Sequence, residues 1–62
     1  MASSHEIRVA QREKLYILMR LRKINKHTVD ELDMYIDLAV AAMDAEDVAY
    51  VEKAIAQLDQ RR

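Results

Sequence analysis

The sequence predicts an all-α fold, a small bundle of three helices completed by dimerisation, and three observations point to it. Apolar residues recur at spacings of three and four, while the period-two alternation of a strand never persists. Helix formers dominate, and Gly and Pro are absent throughout. Three candidate capping sequences divide the chain: Ser3-Ser4-His5-Glu6, Thr28-Val29-Asp30-Glu31 and Asp44-Ala45-Glu46-Asp47.

The first helix is expected from Ser3 or Ser4 to near Asn25, because the S-x-x-E spacing lets hydroxyl and carboxylate satisfy free amides of the first turn. Its apolar stripe reads Ile7, Ala10, Lys14, Ile17, Leu21 and Ile24, widened by Leu15 and Leu18. Lys14 lies inside this stripe, where its stem can pack while the ammonium reaches water. After a polar turn, Asn25-Lys26-His27, the second helix is expected to open with Thr28 as cap and Glu31 closing the box. Val29, Leu32, Ile36, Ala39 or Val40, and Met43 form its stripe, with Tyr35, Leu38 and Ala42 as a second strip beside it. That breadth exceeds what one small neighbour covers, so Leu32, Tyr35, Ile36, Leu38, Val40 and Met43 are the expected oligomer interface. Asp44 can cap a third helix with Met43 and Val48 as a hydrophobic staple, and Val48, Val51, Ala54, Ile55 and Leu58 facing inward. The alternative is a two-helix hairpin in which residues 28–62 form one rod, since Met43, Asp47, Val51, Ala54 and Leu58 continue a heptad.

A chain of 62 residues makes one domain and buries only about 60% of its unfolded surface, so a staple is needed. Cysteine is absent, which removes disulfides and thiolate metal sites and fits a reducing cytoplasm. His5 and His27 share no ligand spacing, and no cofactor is expected. Oligomerisation is the staple that remains. With 52% apolar and 34% charged residues the chain is too apolar for disorder. Its longest uncharged apolar run, Leu38 to Met43, falls far short of the ~20 residues that cross a bilayer. The N-terminus lacks a signal-peptide pattern, so a cytoplasmic protein is expected.

Charge is split between the halves. Residues 1–29 carry Arg8, Arg12, Lys14, Arg20, Arg22, Lys23 and Lys26 against Glu6 and Glu13, a balance of +5. Residues 30–62 carry Asp30, Glu31, Asp33, Asp37, Asp44, Glu46, Asp47, Glu52 and Asp59 against Lys53, Arg61 and Arg62, a balance of −6. Such a chain can neutralise itself by folding back, pair head-to-tail with a second copy, or offer its basic face to an acidic partner. Arg20, Arg22, Lys23 and Lys26 form the densest basic run and are the candidate partner-binding patch. Nucleic acid is a further candidate, with Tyr16, Tyr35 and Tyr50 available to stack on bases. A helix-turn-helix is disfavoured, because the helix after the turn opens with Asp30, Glu31 and Asp33, which phosphate repels.

Catalytic motifs are missing. Asp30, Asp33 and Asp37 recur at helical spacing and read first as a solvated face, second as a cation site or acid/base pair. The tyrosines read first as the edge of a helical core with the hydroxyl in water, and Met19, Met34 and Met43 as core filling before an adaptable binding surface.

Tyr16-Ile17-Leu18-Met19-Arg20-Leu21-Arg22-Lys23 followed by Thr28-Val29-Asp30-Glu31-Leu32-Asp33-Met34-Tyr35-Ile36-Asp37 resembles the Hha/YmoA family, small modulators of nucleoid-associated repressors. The likeness covers residues 16–37; the family's later Ala-Ala-Asp-His-Arg segment and aromatic C-terminus have no counterpart. It implies an adaptor that binds a DNA-binding protein of the H-NS type and makes little specific DNA contact itself. Arg12-Glu13-Lys14-Leu15-Tyr16 and Val29-Asp30-Glu31-Leu32-Asp33 also resemble the small two-helix aspartyl-phosphate phosphatases of the sporulation phosphorelay, whose motif Ser and Gln are replaced here. The expected function is therefore a non-enzymatic regulator or adaptor acting by protein–protein interaction, with direct nucleic-acid binding and a phosphatase-like regulator as alternatives.

Overall fold

In the computed structural model, which describes residues 3–61, the first helix, α1 (Ser4–Arg20), starts at the expected box. The Glu6 amide donates to Ser3 Oγ at 3.2 Å, and the Ser3 amide donates to Glu6 Oε2 at 3.4 Å. α2 (Lys26–Ala42) and α3 (Ala45–Gln60) follow, so the chain is a three-helix bundle rather than a hairpin with one long rod. Each helix runs antiparallel to the one before it. The α1–α2 turn and the end of α3 therefore share one end of the bundle, where Lys23 meets Asp59. Ser4 and Ile7 share the other end with Asp44 and Val48.

Both turns close in the left-handed region without glycine. α1 stops at Arg20 instead of continuing to Asn25, because Arg22 adopts φ 60° and the chain folds back on its last carbonyls. The Arg22 amide donates to Met19 O at 2.9 Å and the Lys23 amide to Leu18 O at 3.0 Å, the paired bonds of a Schellman turn. Met43, at φ 54°, repeats the device after α2: its amide donates to Val40 O at 3.1 Å, and the Asp44 amide to Ala39 O at 3.2 Å. Asp44 then caps α3, its Oδ1 accepting from the amides of Glu46 and Asp47 at 3.0 and 3.4 Å. One residue thus ends α2 with its amide and begins α3 with its carboxylate.

The second cap differs from expectation. Asn25, not Thr28, is the N-cap of α2: its Oδ1 accepts from the Thr28 amide at 2.8 Å and from Thr28 Oγ1 at 3.0 Å. Asn is as good a cap as Thr and lies three residues earlier, so it takes the helix start and leaves Thr28 inside the first turn.

Leu15, Leu18, Val29, Ile36, Val40, Val51 and Ile55 form the core, with Ala39 buried beside them. Ile7, Met19, Ile24, Leu32, Tyr35, Val48 and Leu58 pack around it, half-buried. The stripes expected for α2 and α3 are recovered, except at Met43. The positive φ there takes Met43 off the α2 stripe and leaves it 72% exposed, so neither the stripe position nor a buried staple with Val48 forms. On α1 the buried face is Gln11, Leu15 and Leu18, one residue on from the expected stripe; Ala10, Lys14, Ile17 and Leu21 are exposed. Two expected interface residues, Ile36 and Val40, lie inside the core of the single chain at 2% and 4% exposure and have no surface to give a second copy.

A left-handed residue with a Cβ is strained by about 1 kcal/mol relative to glycine, and an exposed Met43 supplies little packing in return. Met43→Gly is therefore expected to stabilise the bundle by about 1 kcal/mol, which in a domain of this size raises Tm by roughly 4–8 °C. Thermal unfolding followed by circular dichroism checks this; an unchanged or lower Tm would show that the Met43 side chain holds the turn.

Candidate functional site

The charge split resolves into two structures. The first joins α1 to α2. Arg8 and Arg12 lie one turn apart on α1, and Asp33 and Asp37 one turn apart on α2, so antiparallel packing sets the two pairs face to face. Arg12 donates through Nε to Asp33 Oδ1 and through Nη2 to Asp37 Oδ2. Arg8 Nε lies 3.2 Å from Asp37 Oδ1, an ion-pair approach without hydrogen-bond alignment. Partial burial works against the charge on Arg12, but the hydrogen bond and charge of Asp33, together with those of Asp37, outweigh it and raise the guanidinium pKa. The expected solvated acidic face is thus corrected at Asp33 and Asp37, which bind a cation supplied by the chain itself; Asp30 stays exposed, 3.8 Å from Lys26 Nζ.

The second structure is the basic end. Arg20 closes α1, Arg22 occupies the left-handed apex of the turn, and both are exposed without a carboxylate partner among the described residues. Lys23 is half-buried with Nζ 3.5 Å from Asp59 Oδ1, and Lys26 stands exposed in the first turn of α2. The turn brings all four residues of the expected patch to one end. Arg61, at the end of α3, joins them there, lining the same cleft as Arg22 and Lys23. Sequence distance hid that fifth cation; only the antiparallel return of α3 brings it in. His27 faces Glu31 at 4.0 Å, far from His5 at the start of α1.

Of the expected apolar interface, Leu32 and Tyr35 are half-buried, and Leu38 and Met43 are exposed. Two residues outside the expected set complete a strip with Leu38: Met34 and Tyr50, 62% and 63% exposed. Together with Leu32 and Tyr35 they line a shallow groove between α2 and α3. Tyr35 does not hold its hydroxyl in water. Its Oη donates to Asp47 Oδ1 at 2.9 Å, and its ring meets Tyr50 edge-on with centroids 5.7 Å apart. The hydrogen bond to Asp47, partial burial and the Asp47 charge, with smaller contributions from Tyr50 and Asp44, raise the Tyr35 pKa above the usual 10.0.

Among the described residues, no three His, Asp or Glu side chains are placed to share a metal ion, and no helix is long and apolar enough to cross a membrane.

Arg12→Ala is expected to lower Tm more than Arg20→Ala, since it strips Asp33 of its partner and leaves Asp37 with Arg8 alone rather than removing an exposed, unpaired charge. Arg12→Lys should recover only part of the loss, because an ammonium lacks the fork that reaches both acids. Parallel thermal melts compare the three; equal Tm values for the two alanine variants would remove the clamp from the stability argument. For Tyr35, a folded pKa above 10.0 means that its contribution is fully present below pH 10.0 and is lost as pH rises through the folded value. In a tyrosinate absorbance titration, the component removed by Tyr35→Phe should therefore have its midpoint above 10.0, and Asp47→Ala should bring that midpoint down.

No family model, no curated protein and no solved structure matches the chain.

Proposed function

We propose that the protein is a small non-enzymatic regulator or adaptor that binds a larger, acidic protein partner through the basic end of the bundle. One observation carries this: folding neutralises Arg8 and Arg12 against Asp33 and Asp37 yet leaves Arg20 and Arg22 exposed and unpaired among the described residues. Fold-back neutralisation therefore accounts for the middle of the molecule and not for its end. The turn supports the same reading. A glycine at position 22 would relieve the left-handed strain, and the chain instead holds an exposed guanidinium there. The resemblance of residues 16–37 to the Hha/YmoA family spans this turn and agrees with an adaptor role.

Self-association belongs to the same proposal. The strip of Met34, Leu38 and Tyr50 is an apolar surface on a chain too short to be strongly stable alone, and a second copy covering it would bury area that the monomer leaves in water. Of the originally expected interface, Leu38, Tyr35 and Leu32 remain available for this, while Ile36 and Val40 do not.

Molar mass by light scattering across concentration, at low and high salt, with and without duplex DNA, tests both parts. The expected result is a salt-resistant dimer that ignores DNA and becomes a monomer on Leu38→Glu, while the triple reversal R20E/R22E/K26E leaves the dimer intact and abolishes capture of an acidic protein. A monomer that moves onto DNA at low salt and is released by that reversal would replace the adaptor with a nucleic-acid binder.

A further inference from the structure

We infer that the basic end contains a defined cleft for an acidic chain segment, one that carries an apolar side chain beside its carboxylate. This rests on the acidic-partner reading and names the chemistry of the ligand. The cleft, about 400 Å³ in volume, opens where the α1–α2 turn meets the end of α3. Three cations line it from two separate parts of the chain: Arg22 and Lys23 from the turn and Arg61 from α3. Asn25, also in the wall, spends its Oδ1 on Thr28, which leaves its amide N–H groups to donate to an incoming anion. Met19, Ile24 and Leu58, half-buried side chains, share the lining of this open cleft and add apolar surface to it.

Each feature narrows the ligand. Three cations and an amide donor call for an anion. A carboxylate already sits at the edge: Asp59 Oδ1, 3.5 Å from Lys23 Nζ and itself largely exposed, a weak resident that a better-placed acid displaces. The apolar part of the lining gives nothing to inorganic phosphate but rewards an anion attached to an aliphatic side chain. Nucleic acid fits poorly. The lining holds no aromatic ring on which a base could stack, and Asp30, Glu31 and Asp59 at the same end oppose an extended phosphate backbone. A short acidic–apolar peptide engages the cleft without crossing those acids.

The test uses fluorescence anisotropy with labelled hexapeptides: alternating Glu and Leu, alternating Glu and Ser, and alternating Gln and Leu. Inorganic phosphate and labelled duplex DNA serve as competitors. The Glu/Leu peptide should bind tightest, and R22E/R61E, checked for helicity, should weaken it by at least about tenfold. Asp59→Asn should tighten binding, a gain that a misfolded variant does not produce. Reversal at the rim, R20E/K26E, should act only weakly. Equal binding of the Glu/Ser peptide would overturn the cleft in favour of diffuse electrostatics, and equal binding of the Gln/Leu peptide would overturn it in favour of apolar adhesion. Tighter binding of DNA than of any peptide would overturn it as well. If rim reversal abolishes binding while R22E/R61E does not, the acidic-partner reading stands and the cleft fails; if neither reversal matters, both fail.

Discussion

Everything in this bundle depends on two reversals of direction made without glycine. A chain of 62 residues can bury a core only if its helices return on each other with little lost to connections, and here the α2–α3 connection is Met43 and Asp44 alone. Schellman closures at Arg22 and Met43 do this by satisfying the last carbonyls of α1 and α2 while turning the chain out of the helix. The closures also set the helix lengths, 17, 17 and 16 residues, so the three elements match end to end. Matched lengths then place the start of α2 and the end of α3 level with the first turn, which is what assembles a basic end from residues 20–26 and Arg61.

Charge does two jobs that sequence alone does not separate. Cations in the middle of α1 fix the packing of α1 on α2, because Arg12 reaches Asp33 and Asp37 only at one axial offset of the antiparallel pair. Cations at the end of α1 have no such partner. The register that sets Arg8 beside Asp37 and Arg12 beside Asp33 puts Arg20 level with the α1–α2 turn, about two helical turns beyond Asp33, where the nearby acids are Asp30, Glu31 and Asp59, each in a long, exposed pair. An exposed pair of that kind adds little stability, so it holds its basic partner loosely.

Local signals were legible in part: the box at Thr28, complete in sequence, lost its place to Asn25. Ser3 and Asp44 were readable because a cap uses neighbours within one turn. The α2 and α3 stripes were readable because their large aliphatic residues occupy one phase. On α1 two phases compete: Ala10, Lys14 and Ile17 repeat at the same spacing as Gln11, Leu15 and Leu18, and only the packing of α2 and α3 selects the second. The turns were hidden, since Arg22 and Met43 carry no compositional mark of a left-handed residue, and that concealed both the early end of α1 and the exposure of Met43. The Arg12 clamp had left a trace, two cations and two acids each spaced one turn apart on successive helices, which becomes meaningful once the helices are known to be antiparallel. Arg61 had left none.

Gln11 shows how thin the resulting stability is. It is 5% exposed, with Oε1 lacking a hydrogen-bond partner among the described residues, and the gap it borders with Ile7, Ile36, Val40 and Val51 has no room for a water. An unsatisfied buried amide costs about 1–3 kcal/mol, a large part of the roughly 3–9 kcal/mol that a chain this short can hold. A strained turn at Arg22 draws on the same reserve. For a domain that retains a buried orphan and two left-handed side chains, a ligand of the folded form, whether a second copy on the α2–α3 strip or an acidic segment in the basic cleft, would add a stabilisation large beside the domain's own. The proposed binding would then be coupled to folding by mass action, since a ligand that holds only the folded form adds its own free energy to a small reserve.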